Sequence, residues 1–138
     1  MNEDAAGRCL CGAVSFRIDG DAITARQCWC RDCQYLAAGG PTNNLLLHTE
    51  QLTWDGEVRW FESEADSGNL LARGFCPICG TPLFVQSHVR RHVIGVRLGA
   101  LDRPVMPPRE VIWTSSAPEW AQLDSELPHV ERQPPPAA

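Results

Sequence analysis

The cysteines are the residues with the most chemistry to offer, and they fall into three groups: Cys9-x-Cys11, Cys28-x-Cys30-x-x-Cys33 and Cys76-Pro77-Ile78-Cys79. Thiolates one or two residues apart can chelate a single cation from one turn, and Zn²⁺ is the ion such sets most often hold. Cys76-x-x-Cys79 followed by Gly80 has the form of a zinc knuckle, in which backbone N–H groups point at the sulfurs and glycine relieves crowding past the second ligand. One knuckle supplies two ligands. With the middle triplet kept together, Cys9 and Cys11 complete a tetrahedral set, and a Cys-x-Cys on an extended strand places both side chains on one face. Such a site would clamp the N-terminal strand to a hairpin 65 residues later, supporting a core that is small for its surface. The other readings of these four are buried free thiols or a redox Cys-x-x-Cys.

Cys28, Cys30 and Cys33 are only three ligands, and three leave one tetrahedral position open, the arrangement that separates catalytic from structural zinc. Water or a substrate thiol could fill it. Cys33 also lies near the start of a predicted helix, whose positive end favours a thiolate. Two other readings stand beside this one. His48, His88, His92, His129 or the Asp32 carboxylate could close the site, His48 being best placed because it follows Leu45-Leu46-Leu47 soon after the triplet; or the triplet could hold no metal.

Seven cysteines would leave one over from any set of disulfides, whereas ligation accounts for them as four plus three. The acidic start Met1-Asn2-Glu3-Asp4 is unlike a secretory signal, and there is no run of about 18 apolar residues to span a bilayer. The expectation is a cytoplasmic protein with reduced thiols, without a membrane partner. The formal net charge is −5 and all 12 basic residues are Arg; metal bound by seven thiolates would take the charge to about −8. Scattered arginines on an acidic chain argue against a nucleic-acid partner, which requires clustered cations.

Positioning these groups falls to a β-rich chain of 138 residues, a length suited to a single domain. Val14, Phe16 and Ile18 alternate with Ala13, Ser15 and Arg17, the pattern of a half-buried strand. Val58-Trp60, Leu83-Val85 and Ile94-Val96-Leu98 read the same way, with reversals at Asp19-Gly20-Asp21, Asp55-Gly56 and Asp66-Ser67-Gly68-Asn69. The spacing predicts one short helix over 31–38, ended by Gly39-Gly40, and a second short turn over 117–122. Residues 1–127 are expected to form one zinc-binding domain of antiparallel hairpins, and 128–138 a Pro-rich tail that makes neither sheet nor helix.

Three stretches, Gly7-Arg8-Cys9-Leu10-Cys11-Gly12-Ala13-Val14, Cys28-Trp29-Cys30-Arg31-Asp32-Cys33 and Arg73-Gly74-Phe75-Cys76-Pro77-Ile78-Cys79-Gly80-Thr81-Pro82-Leu83, together with Gly99-Ala100-Leu101-Asp102 and Ile112-Trp113-Thr114-Ser115, resemble the glutathione-dependent formaldehyde-activating enzyme and centromere protein V family. The resemblance runs from about Gly7 to Leu127. It implies a mainly β, Mss4-like fold with zinc knuckles, one zinc on Cys9, Cys11, Cys76 and Cys79, and a second, labile or catalytic zinc on Cys28, Cys30 and Cys33. The implied activity is condensation of formaldehyde with glutathione to S-hydroxymethylglutathione, a carbon–sulfur lyase reaction run in reverse. Where the family often has His between the first two cysteines of the triplet, this chain has Trp29.

A glutathione-like thiol would need cations for its carboxylates and donors for its amides, for which Arg31, Arg73, Asn43 and Asn44 are candidates, with Trp29 as a possible pocket wall. Each has a plainer reading as a surface cation, a turn residue or packed core. From a different class, the chain could be a non-enzymatic zinc-stabilised scaffold or thiol carrier.

Overall fold

A computed structural model describes residues 4–138; the first three residues of the acidic start lie outside it. The alternation around Phe16 becomes strand β2 (Ser15–Ile18), which pairs antiparallel with β1 (Ala5–Arg8) and with β5 (Leu52–Asp55) to form a three-stranded sheet. The larger sheet contains β3 (Thr24–Cys28), β4 (Thr42–His48), β6 (Arg59–Glu64), β7 (Leu70–Phe75), β8 (Pro82–Ser87), β9 (Val93–Arg97), β10 (Glu110–Ile112) and β11 (His129–Val130), in the order β11-β10-β3-β4-β9-β8-β7-β6. The fold is mainly β with one short helix, as the sequence leads one to expect.

One face of the large sheet and the inner face of the small one share a core of Val14, Phe16, Ile18, Leu45, Leu47, Phe84, Ile94 and Val96, each no more than 2% exposed. Each such side chain contributes roughly 1.5–3 kcal/mol by leaving water. The glycines at the reversals, Gly20, Gly56 and Gly68, all have positive φ, the reason glycine is required there.

The expected short turn within 117–122 is present, with Ala121 N donating to Pro118 O at 3.0 Å, and a 3₁₀ turn at Thr114–Ser116 precedes it; Ala117, held extended ahead of Pro118, separates the two. Three features differ from the sequence expectations. The helix α1 spans Arg31–Leu36, ending before the expected residue 38, and is capped by the Cys30 sulfur. The sheet is not wholly antiparallel, and the Pro-rich tail does make sheet, since β10 pairs parallel with β3 on one side and with β11 on the other. The physical reason is local. His129 and Val130 keep their backbone donors and add to the open edge of β10.

Candidate metal centres

Cys9 and Cys11 sit not on a strand but in the turn that joins β1 to β2. Cys9 N donates to Val14 O at 3.0 Å, Gly12 N donates to Cys9 O at 3.1 Å, and Gly12 has φ +84°. The Cys76–Cys79 turn joins β7 to β8 in the same manner, with Cys76 N on Thr81 O at 3.0 Å, Gly80 N on Cys76 O at 2.9 Å and Gly80 at φ +79°. Two like turns thus face each other. Their four sulfurs lie within 4.8 Å of one another, with Cys9–Cys11 at 3.7 Å and Cys11–Cys76 at 3.8 Å.

A tetrahedron with metal–sulfur bonds of about 2.3 Å has edges of about 3.8 Å, so the donor set fits Zn²⁺. Backbone donors are already aimed at the sulfurs: Val14 N reaches Cys9 Sγ at 3.3 Å, and Ile78 N and Cys79 N reach Cys76 Sγ at 3.4 and 3.5 Å. The Thr81 hydroxyl lies 3.1 Å from Cys79 Sγ while accepting from Leu10 N at 3.0 Å. This hydroxyl is the foremost influence holding the Cys79 thiol down to about 5.

The triplet is assembled at the other end of the molecule from three local devices. Cys28 is the last residue of β3, Cys30 caps α1 by accepting from Cys33 N at 3.4 Å, and Cys33 lies one turn into the helix. Buried Gln34 holds that helix down, its amide donating to Trp29 O at 2.8 Å and Ser116 O at 3.0 Å while its oxygen accepts from Arg31 at 2.6 Å. All three sulfurs are buried and lie within 4.8 Å of one another, with no His or carboxylate among the described residues joining them.

Protons are shared unevenly among the three. Cys33 is held down to about 3, first by hydrogen bonds from Cys28 and Cys30 and further by Thr42. Cys30 is pushed up to about 11, the bond from Cys28 being outweighed by Cys33 and by burial. Cys28 is raised as well, foremost through its bond to Cys30. Three sulfurs this close become thiolates together only beside a cation, which is the donor chemistry of a metal site.

The histidines are engaged elsewhere. His48 is exposed at the far end of β4 from Thr42, about 20 Å along the strand. His88 pairs with Glu62, His92 lies beside Arg90, and His129 contacts Asp124 O. Asp32 pairs with Arg73 at 3.2 Å.

Beside the triplet is a cavity of about 410 Å³, floored by the large sheet face opposite the core. Side chains two apart on a strand share a face, so Arg26 and Cys28 of β3, Asn44 and Leu46 of β4, Gly95 and Arg97 of β9, and Arg73 of β7 all line it. A directed chain of hydrogen bonds crosses the floor. Arg97 Nη1 donates to Asn44 Oδ1 at 2.6 Å, Asn44 Nδ2 donates to Thr42 Oγ1 at 3.1 Å, and Thr42 Oγ1 donates to Cys33 Sγ at 3.0 Å. Every donor in the chain points toward the sulfur, so each bond polarises the next in the sense that favours a thiolate.

Arg26 is ion-paired with Glu110 and Arg73 with Asp32, whereas Arg97, 7% exposed, has no carboxylate partner among the described residues and its Nε has no hydrogen-bond partner. Burial is the largest influence on its guanidinium, lowering the pKa, and the Cys33 thiolate opposes it.

Of the residues read from the sequence as ligand contacts, Arg73 and Asn44 line this cavity with the triplet and the others do not. Asn43 points to the opposite face and accepts from Gln27 at 3.0 Å. Arg31 is exposed, its guanidinium 5.2 Å above the Tyr35 ring. Trp29 is buried edge-on to Trp120 at 6.3 Å, its indole N–H without a partner. Thr42, Arg97 and Arg26 went unnoticed in the sequence. Arg97 carried a readable signal, because Val93, Gly95 and Arg97 alternate with the apolar Ile94 and Val96 and so share the second face of that strand.

A mainly β chain with two facing cysteine turns, a separate cysteine triplet and a cationic cavity beside it defines a class of proteins with two candidate metal centres. Residues 4–116 match the profile of the family "Glutathione-dependent formaldehyde-activating enzyme", and the chain belongs to that family. It is 27% identical over 126 residues, covering 86% of this chain and 80% of its relative, to a Halomonas elongata protein named "Putative glutathione-dependent formaldehyde-activating enzyme". A crystal structure of a Rhodobacter sphaeroides protein superposes with a TM-score of 0.57 at 20% identity, covering 70% of this chain and 87% of that one, a likeness of fold.

Proposed function

We propose that this chain joins a thiol such as glutathione to an aldehyde such as formaldehyde, with Cys28, Cys30 and Cys33 as the reaction centre and Cys9, Cys11, Cys76 and Cys79 as a structural zinc site. The observation that carries this reading is the triplet itself: three buried sulfurs in the wall of a cavity, with no fourth protein ligand among the described residues. A zinc ion held there would supply one open position able to keep a substrate thiol as thiolate at neutral pH.

The chain's own residues do the remaining work. Thr42 fixes the orientation of Cys33 through its hydroxyl. Arg97, lacking an internal carboxylate, and Arg73 offer charge and donors to the carboxylates of a peptide-like thiol, and Asn44 holds the Arg97 guanidinium in place. A cavity of about 410 Å³ is at the lower end of the usual range for small-molecule sites. In the reaction the sulfur lone pair forms a bond to the carbonyl carbon, the C=O π pair moves to oxygen, and that oxygen takes up the proton the thiol released. No electron acceptor or donor is needed, and the reverse direction is a carbon–sulfur lyase reaction.

The test is adduct formation from glutathione and formaldehyde followed by exchange NMR. The protein is expected to accelerate it over the spontaneous rate and Cys30→Ala to abolish the acceleration. An unchanged rate overturns this activity, and glutathione binding without acceleration establishes a carrier instead.

A further inference from the structure

The Pro-rich tail does not trail from the fold. It is fastened in register along the edge of β10, with Val111 N donating to Pro128 O at 2.9 Å, Ser115 N to Glu131 O at 3.2 Å and Trp113 N to Arg132 O at 3.4 Å. Beyond that point it turns across the mouth of the cysteine cavity. Trp113 Nε1 donates to Gln133 Oε1 at 3.0 Å, Arg26 donates to Pro135 O at 3.2 Å, Pro134 is buried, and Pro134, Pro136 and Ala137 line the same cavity as Cys28, Cys30 and Cys33.

Several observations make this a built wall. Trp113 is one of only two non-glycine residues with positive φ among the described residues, at φ 58°, a conformation that costs of order 1 kcal/mol or more and persists where the surroundings enforce it. That conformation presents its indole N–H to the tail. The consecutive prolines offer no backbone N–H, so the segment cannot continue as a strand, and their fixed φ leaves little freedom to lose on ordering. Arg26, already paired through Nε with Glu110, donates from Nη2 to the tail. The segment lies outside residues 4–116, which carry the family match.

We infer that residues 133–138 are a specificity-determining wall of the cavity, setting the size of the molecule that can reach the triplet sulfurs and giving it an apolar surface to pack against. The favoured ligand is a compact thiol or adduct with an anionic end toward Arg97 and an apolar part against Pro134, Pro136 and Ala137. This inference rests on the cavity being the site of the thiol, but the wall itself can be tested without turnover.

The experiment compares alkylation of Cys28, Cys30 and Cys33 by a small reagent, iodoacetamide, and a large one, pyrenyl maleimide, in the metal-loaded full chain, with the modified residues read by peptide mass spectrometry. Two variants push in opposite directions. Removing residues 133–138 is expected to raise the large-to-small rate ratio, and Ala137→Trp to lower it, each by roughly tenfold or more, the discrimination that a small change in an apolar pocket commonly produces. The ratio at Cys79 serves as internal reference and stays constant. If the shortened chain fails to fold by circular dichroism, Ala137→Trp decides alone. An unchanged ratio in the folded variants overturns the wall. Because labelling needs no catalysis, an absence of thiol–aldehyde acceleration would remove the proposed activity while leaving this result standing.

Discussion

The Thr42 hydroxyl donates to the Cys33 sulfur at 3.0 Å, and it can do so with a defined direction because its oxygen already accepts from Asn44, itself oriented by Arg97. Thr42 is the first residue of β4 and stands across from Cys28 of β3. The bond therefore ties the helix that carries two of the sulfurs to the strand pair that carries the third. Thr42→Val keeps the shape and removes the donor. Loss of such a supporting bond typically weakens metal affinity by about 10–100-fold, so zinc at the triplet should pass to a chromophoric chelator more readily by that factor. Zinc at the four-cysteine site should not change, and Thr42→Ser should restore the affinity.

The two centres should also part company under chelation. Metal removal in increments, followed by metal analysis and circular dichroism, is expected to release the three-cysteine zinc first with the fold retained. The four-cysteine zinc should leave second, with cooperative unfolding, because its turns join β1 to β2 and β7 to β8 across the two sheets. Release of both in one step with the fold intact would refute the structural role of the four-cysteine site.

Gly80→Ala isolates a backbone effect. A Cβ there would meet nothing within 4 Å, yet φ is +79°. The expected cost is about 1–2 kcal/mol, visible as a lower thermal midpoint, with zinc content unchanged because the sulfurs keep their positions. An unchanged midpoint would mean the turn relaxes without strain.

Arg97→Met should separate charge recognition from chemistry. If Arg97 receives a substrate carboxylate, KM for glutathione should rise by about 10–100-fold, the range for a lost charge-assisted hydrogen bond. KM for an uncharged thiol such as 2-mercaptoethanol should move far less, and Arg97→Lys should recover part of the loss. Equal effects on both thiols would assign Arg97 to positioning Asn44 and Thr42 alone.

The cysteine groups were legible because chelation by nearby thiolates is a local matter, decided by spacing along a few residues. The strand at Val14–Ile18 was legible for a similar reason, since one buried face imposes a period of two. Asn43 and Asn44 show where such reasoning stops: adjacent and identical in type, they point to opposite faces of β4, and only the register with β3 and β9 says that Asn44 is the one beside Arg97.

The tail shows the same limit in another form. Its prolines correctly forbid a long strand, but the free edge of β10 that captures His129 and Val130 exists only once β3 has paired with it. By itself, the sequence determined the four-plus-three division of the thiols, the β-rich class and the family. Tertiary structure alone decided that the triplet opens on a cavity, that Arg97 reaches Cys33 through Asn44 and Thr42, and that residues 133–138 wall that cavity. The reason is physical: ligand spacing and apolar period are written between neighbours, whereas hydrogen-bond chains and cavity walls join residues 9, 53 or more than 100 positions apart.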